Sequence, residues 1–327
     1  MNNAVIEKIS IVVPVYNEEE SLAVFIPYLM EELDKIKKTM DIQSEVMLID
    51  DGSTDSSYKI LKDFAGKYAV IKIIHFGTNF GQTAALSAGF QNASGEVIVT
   101  LDADGQNDPA DIKSLLEKLQ EGYDVVSGWR KDRKDKFLSR ILPSRTANYL
   151  ISVITGLKLH DYGCTLKAYR KESVKHLNLY GEMHRFIPSL LKWSGASITE
   201  IHVKHHPRKK GTSKYGISRT IKVLLDLAVV KFLMSFSTRP IQFFGIIALI
   251  ILFISVISFA GVLYYKYYDN LSMNRNPLLY FSLTSFMISI QLFILGFIAE
   301  MLARTYHESQ HKPIYVIKET INFDEKD

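Results

Sequence analysis

Two stretches near the C-terminus constrain this chain more than anything else in it. Ile241–Tyr265 and Leu278–Ala299 each contain no charged residue. About 20 apolar residues in helix cross a bilayer core, so both stretches predict transmembrane helices, at about 241–265 and 278–299. Between them lies the short polar segment KYYDNLSMNRNP. Tyr264, Tyr265, Tyr267, Tyr268 and Tyr280 would form an aromatic belt at one interface. The alternative, a buried hairpin in the core of a soluble protein, is disfavoured by the absence of any charge over two such lengths. Lysines and arginines before Ile241 outnumber the two in the connecting loop. The positive-inside rule therefore puts both termini in the cytoplasm and the loop outside. The first residues, MNNAVIEKIS, have no basic stretch followed by an apolar run, so no cleavable leader is expected. The single cysteine, Cys164, excludes an intrachain disulfide and implies no oxidising compartment.

The remainder of the 327 residues reads as a soluble α/β protein. Short Val/Ile-rich runs alternate with helical spacing. Strands are expected at Ile9–Pro14, Glu45–Asp50, Val70–His75, Glu96–Leu101 and Asp124–Ser127, with helices at 19–38, 54–67, 82–92 and from Pro109 to about Glu121. Such alternation predicts a mostly parallel sheet with helices on both faces. Residues 130–148 carry seven Lys or Arg against two Asp, and read as a loop leading into a helix. Residues 203–225 carry seven Lys or Arg and no acid. Ile217, Ile221, Leu224, Leu225, Ala228 and Phe232 lie on one helical face there, which suits a membrane surface. The expected organisation is a cytoplasmic α/β domain over 1–213, an amphipathic segment over 214–238, the helical pair within 239–303, and a cytoplasmic tail over 304–327.

Ligands of parallel α/β sheets bind beyond the carboxyl ends of the strands. The polar clusters of this chain fall at those ends. Asp102-Ala103-Asp104 places two carboxylates one residue apart, a pattern that suits Mg²⁺ or Mn²⁺ shared with substrate phosphate oxygens. Asp104 is the more direct candidate ligand, and Gln106 is placed to complete the shell. A solvated acidic turn, with Asp108-Pro109 capping the next helix, is the plainer reading. In Asp50-Asp51-Gly52-Ser53-Thr54-Asp55, carboxylates can accept from a base or ribose, or Ser53 and Thr54 can simply cap a helix. Tyr16 is placed to stack on a base and Glu18 to bond to it, against the alternative of an acidic helix start. Asn79 and Gln82 flank the start of a helix, where free N–H groups favour anions, or where Asn79 caps. His205-His206 has no zinc-like partner spacing. G-x-G-x-x-G after the first strand, G-x-x-x-x-G-K-[ST] and G-x-S-x-G are all missing, which weakens dehydrogenase, NTPase and hydrolase readings.

Taken together, VVPVYNEEESL, LIDDGSTDSS, NFGQTAALSAGF, DADGQNDP and SGWR resemble glycosyltransferase family 2, in that order and across about 120 residues. The chain is similar to the subgroup of dolichyl-phosphate mannose synthases and bactoprenol-phosphate glucosyltransferases. The processive members' Q-x-x-R-W does not occur, which favours transfer of a single sugar. The resemblance implies a GT-A-type catalytic domain, then a surface helix, then a membrane hairpin. It implies that Pro14, Tyr16, Glu18, Asp51, Asn79, Gln82, Asp102, Ala103 and Arg130 line the nucleotide-sugar. It implies Asp102, Asp104 and Gln106 around the metal, and Arg130, Arg140, Arg145, His184 and Arg185 on the acceptor side. Arginine suits that role because it grips phosphate bidentately. The segment DYGCTLK matches a family segment in which some relatives have an acid where Cys164 stands. Asp161 is then the first candidate base and Glu182 the second.

The function implied is inverting transfer of one hexose-type sugar from a UDP- or GDP-linked donor to undecaprenyl or dolichyl phosphate. The partners would be the nucleotide-sugar, the polyprenyl phosphate and the bilayer, with no nucleic acid and with room for self-association through the helices. The competing functions are a catalytically inactive membrane scaffold and a lipid-linked sugar flippase. Two helices offer little room for a transport pathway.

Overall fold

The computed structural model describes residues 6–131, 148–149, 151–153, 155–175, 177, 179, 183–207, 240–269, 271–309 and 317–323. The predicted helices between 208 and 239, together with Arg140, Arg145 and Glu182, lie outside these residues. The chain forms two compact units, Met1–Lys231 with Pro313–Asp327, and Phe232–Lys312.

The larger unit is built on an eight-stranded sheet of order β7-β5-β6-β4-β1-β2-β3-β8. Its strands are β1 Lys8–Val15, β2 Gln43–Asp50, β3 Ile71–Phe76, β4 Val97–Thr100, β5 Val125–Trp129, β6 Lys167–Arg170, β7 Ile198–His202 and β8 Ile317–Ile321. β1 pairs in parallel with β2 and β4, β2 with β3, and β5 with β7. The expected mostly parallel sheet with helices on both faces is present. Three strands that were not expected complete it. β6 lies antiparallel between β4 and β5, so those two do not pair with each other. β8 runs antiparallel along β3.

Helix α1 (Glu19–Met40) turns Leu22, Phe25, Ile26, Leu29, Leu33 and Ile36 onto one face of the sheet. Each such burial contributes about 1.5–3 kcal/mol. Helices α2 (Ser57–Lys67) and α4 (Ile112–Gln120) add Leu61, Ala65, Ile112, Leu115, Leu116 and Leu119 to the same core, with Ile9, Ile11, Val13, Val46, Leu48 and Ile73 from the strands. The helix expected from 54 starts later, at Ser57, because Ser53 and Thr54 are engaged with Asn17 instead. The helix expected from Pro109 opens as a 3-10 turn, Pro109–Asp111, capped by the Asp108 side chain.

Helix α3 (Gln82–Asn92) packs on the opposite face and is buried from Thr83 to Phe90. It sits close to β1 because Gly89 has no side chain. A Cβ there would lie 2.2 Å from a Val12 methyl. Gly89→Ala is therefore expected to cost about 1–3 kcal/mol, as overpacked cores do. Chemical denaturation checks this, and Val12→Ala in the same chain should recover much of the loss. Short helices α5 (Lys171–Val174) and α6 (Ile187–Trp193), the latter preceded by a 3-10 turn Met183–Phe186, complete the larger unit.

The smaller unit is a pair of long helices, α7 (Pro240–Tyr268) and α8 (Pro277–Ser309), packed on each other. Its segments Phe243–Tyr268 and Pro277–Ala299 are long and apolar enough to span a membrane. Ser255 Oγ donates to Ser282 O, and Ser289 Oγ to Ala248 O, each at 2.8 Å. Interhelical bonds of this kind suit a lipid environment, where association has no hydrophobic drive of its own. Phe253, Ile257, Met287 and Phe297 among many others face outward. Tyr264, Tyr265, Tyr267, Tyr268 and Tyr280 are all exposed at one end of the hairpin, as an interfacial belt requires. The chain then returns to the sheet as β8. Lys62 binds Glu319 at 2.7 Å, and Asn322 donates to Ala65 O and Ile71 O. The C-terminal strand thus belongs to the larger unit, which is cytoplasmic.

Candidate functional site

The predicted polar clusters converge at the carboxyl ends of β1, β2, β3 and β4. Their loops are laced together by side chains. Asn17 N donates to Ser53 Oγ (3.0 Å), Thr54 N to Asn17 Oδ1 (2.8 Å), and Glu18 N to Ser57 Oγ (2.8 Å). Glu18 Oε2 accepts from Ser21 Oγ at 3.1 Å. Tyr16, Asn17 and Glu18 are half-buried along this seam, as is Pro14 before them. Gly52 turns the β2 loop with φ +67°, and a Cβ there would lie 2.4 Å from the Thr78 carbonyl carbon. Only glycine lets these two loops touch.

Asp51 is buried, and its carboxylate organises the loop after β3. Oδ1 accepts from Phe80 N at 2.7 Å, and Oδ2 from Gly81 N and the Asn79 amide at 2.9 Å each. Asn79 therefore serves Asp51 and does not cap α3, whose N-terminus is formed by Gly81. Burial, with Asp50 adding to it, pushes Asp51 up to about 6 in spite of the two backbone donors. Its neighbour Asp50 points the other way, pairing with His75 Nδ1 at 2.6 Å.

The Asp102-Ala103-Asp104 turn follows β4. Gln82 Nε2 donates to Asp102 Oδ1 at 2.8 Å, and Gln106 N to Asp104 Oδ1 at 3.0 Å. Gln82 and Asp102 are thus brought together, as are Asp104 and Gln106. Ala103 is buried beneath them. Burial and then Asp104 raise Asp102 to about 6, while the Thr165 hydroxyl, Arg130 and Lys167 pull the other way. Charge on Asp104 thus disfavours charge on Asp102, a conflict that a hard cation relieves. Among the described residues no group of three or more His, Cys, Asp or Glu side chains converges as a metal cluster. Two carboxylates are what Mg²⁺ commonly takes when substrate phosphates supply the rest.

The structure joins two residues that sequence reasoning treated separately. Arg130 Nε donates to Asp161 Oδ2 at 2.7 Å, and Nη2 to Oδ1 at 3.0 Å. The pair is largely buried, and Asp161 holds the Arg130 guanidinium firmly protonated. Beside it Lys167, in the middle of the sheet, donates to the carbonyls of Tyr162 and Cys164. Burial lowers the Lys167 pKa, and Asp161 and Asp102 oppose that shift. Lys167 stood in the quoted DYGCTLK segment, but nothing in the sequence marked it as a buried cation. His184 is buried under α3, with Nδ1 2.9 Å from Thr83 Oγ1. Burial, with Arg185 and Lys167, lowers it to about 3, so it is neutral at pH 7. Tyr28, Asp108 and His206 form a further cluster that the sequence did not reveal. Tyr28 Oη donates to Asp108 Oδ1 at 2.7 Å, and His206 Nε2 lies 3.1 Å from Oδ2.

The model of glycosyl transferase family 2 matches residues 10–177. The dodecaprenyl-phosphate galacturonate synthase of Rhizobium johnstonii is 40% identical over 95% of this chain and 92% of its own length. The undecaprenyl-phosphate 4-deoxy-4-formamido-L-arabinose transferase of Proteus mirabilis is 34% identical over 97% of this chain and 94% of its own. Among solved structures, the mannosyl-3-phosphoglycerate synthase of Rubrobacter xylanophilus aligns with TM-score 0.54 at 11% identity, over 69% of this chain and 74% of that one. The glucosyl-3-phosphoglycerate synthase of Mycobacterium tuberculosis, in complex with Mn²⁺ and uridine-diphosphate-glucose, aligns with TM-score 0.51 at 14% identity, over 69% and 79%. These two structures share the fold of the larger unit. On the family match, and on relatives that align along nearly their whole length, this chain belongs to glycosyl transferase family 2.

Proposed function

We propose that the protein is an inverting, metal-dependent glycosyltransferase. It moves one hexose-type sugar from a UDP- or GDP-linked donor to a polyprenyl phosphate at the cytoplasmic membrane face. The observation that carries this reading is that the Asp51 and Asp102–Asp104 loops share one sheet edge with the Arg130–Asp161 pair, on a chain with a membrane-length hairpin. The full-length relatives, named for transfer to or synthesis on polyprenyl phosphates, support the acceptor class.

Asp102 and Asp104 would hold Mg²⁺ or Mn²⁺, with Gln106 beside them. The ion, when bound, would neutralise charge on the departing nucleoside diphosphate. Pro14, Tyr16, Glu18, Asp51, Asn79, Gln82 and Ala103 line the donor. The lipid phosphate has a second pKa near ~6, by analogy with other phosphate monoesters. At neutral pH it is mostly dianionic and needs little base catalysis. One of its oxygens bonds to the anomeric carbon from the face opposite the leaving group. The bond from that carbon to the diphosphate oxygen breaks, and the nucleoside diphosphate leaves with the electron pair. Asp161, tied to Arg130, orients that arginine toward the phosphate and takes no proton. Alignment and charge placement supply most of the acceleration.

Asp51 gives a pH signature. Its ionised form weighs against the fold, so its contribution to stability falls as pH rises from 3.8 toward about 6. Donor binding runs the other way. A protonated Asp51 cannot accept from all of Phe80, Gly81 and Asn79, and the donor loop loosens. Nucleotide affinity, titrated without acceptor, should weaken about tenfold from pH 7.5 to 5. Asp51→Asn should flatten this acid limb and bind weakly throughout.

The deciding experiment is a donor screen on the full chain in detergent. Undecaprenyl phosphate and Mg²⁺ or Mn²⁺ are supplied with UDP-glucose, UDP-N-acetylglucosamine, GDP-mannose, UDP-galacturonate and UDP-4-deoxy-4-formamido-L-arabinose. Metal-dependent glycolipid from one donor is the expected result. Nucleotide binding without glycolipid from any donor would favour the scaffold.

A further inference from the structure

His160 is an exposed loop residue whose polar groups are nearly all anchored. Its backbone N–H donates to Glu200 Oε2 at 2.9 Å, and its ring Nδ1 pairs with Glu200 Oε1. Its carbonyl accepts from the Asn148 amide at 2.8 Å. Its ring lies flat on Trp129, with centroids 3.9 Å apart and planes 8° apart. Trp129 ends β5 and also meets His202, its register partner on β7, at 4.4 Å.

The neighbours of these two residues are the buried ion pair. Trp129 precedes Arg130, and His160 precedes Asp161. Consecutive residues of one segment therefore grip consecutive residues of the other, by an aromatic stack outside and a bidentate ion pair inside. Asn148 adds a third point, on the far side of the basic stretch that begins at Arg130. A surface contact such as His160–Glu200 contributes little to stability. What this anchoring supplies is position, since it fixes the backbone on both sides of Arg130–Asp161. Displacing such a pair by about 1 Å can cost 100-fold in rate.

We propose that His160, with Trp129 and Glu200, is a positioning residue for transfer, holding the Arg130–Asp161 pair in register on the acceptor side. This rests on the function proposed above. The chain has two tryptophans, so Trp193→Phe leaves Trp129 as the only reporter of the stack. In that background His160→Ala should change Trp129 emission and lower kcat/KM for undecaprenyl phosphate about 10- to 100-fold. The donor Kd and the melting temperature should stay near those of the parent. His160→Phe, which keeps a ring on Trp129, should recover most of the rate. Full kcat/KM in His160→Ala, with the emission change showing the stack lost, would overturn the proposal. So would a parallel loss of donor binding and melting temperature, which would mark a purely structural contact. A parent protein that turns over no donor would defeat the transfer reading itself.

Discussion

Replacing Asp104 by alanine is expected to lower glycolipid formation by about three orders of magnitude, the scale on which charge stabilisation at a leaving group operates. The fold should survive. Asp104 is half-buried in a turn, where its Oδ1 accepts from Gln106 N. Losing it should cost about 1 kcal/mol. The measurement pairs initial rates at saturating Mg²⁺ or Mn²⁺ with a melting curve. Donor binding should lose its dependence on the metal in the same variant. A variant that retains full activity would remove Asp104 from the metal site and reopen the plainer reading of this turn as a solvated acidic loop.

Asp161→Asn should also slow transfer, about tenfold less severely and by a different route. Asparagine keeps the shape but leaves the Arg130 guanidinium buried without its carboxylate. Breaking such a pair typically costs about 3–5 kcal/mol, and the guanidinium it orients would lose its direction. A 100-fold fall in kcat is a reasonable scale for that misplacement, about 2.7 kcal/mol. The shape of the pH–rate profile separates the two roles of Asp161. If Asp161 were the base, the variant would lose the acid limb of kcat. If it positions Arg130, the limb set by the lipid phosphate near ~6 stays and only the height drops. Replacing both members of the pair by uncharged residues should recover stability relative to Asp161→Asn alone without recovering activity.

Much of this molecule was legible before any coordinates. Two charge-free runs of spanning length admit few structures, because a bilayer leaves a backbone no partner but itself. The helices at 19–38 and 82–92 followed from apolar spacing, and the parallel order of β1 to β4 from strand–helix alternation. The acids at the ends of β2 and β4 were visible because a buried strand followed by carboxylates puts charge where a ligand can reach it. These are local signals, carried by residues close together in the chain.

The tertiary structure decided what depends on distant residues. β6 enters between β4 and β5 as Lys167–Arg170, a four-residue strand too short to show a period. β8 is exposed on most of its length and joins the sheet by its backbone, so no apolar pattern announced it. The Arg130–Asp161 pair spans 31 residues and the Thr83–His184 contact 101, and no local spacing encodes either. A sequence displays its charges and its periods. Which buried charges neutralise each other, and so which can act, is settled only when the sheet brings their loops to the same edge.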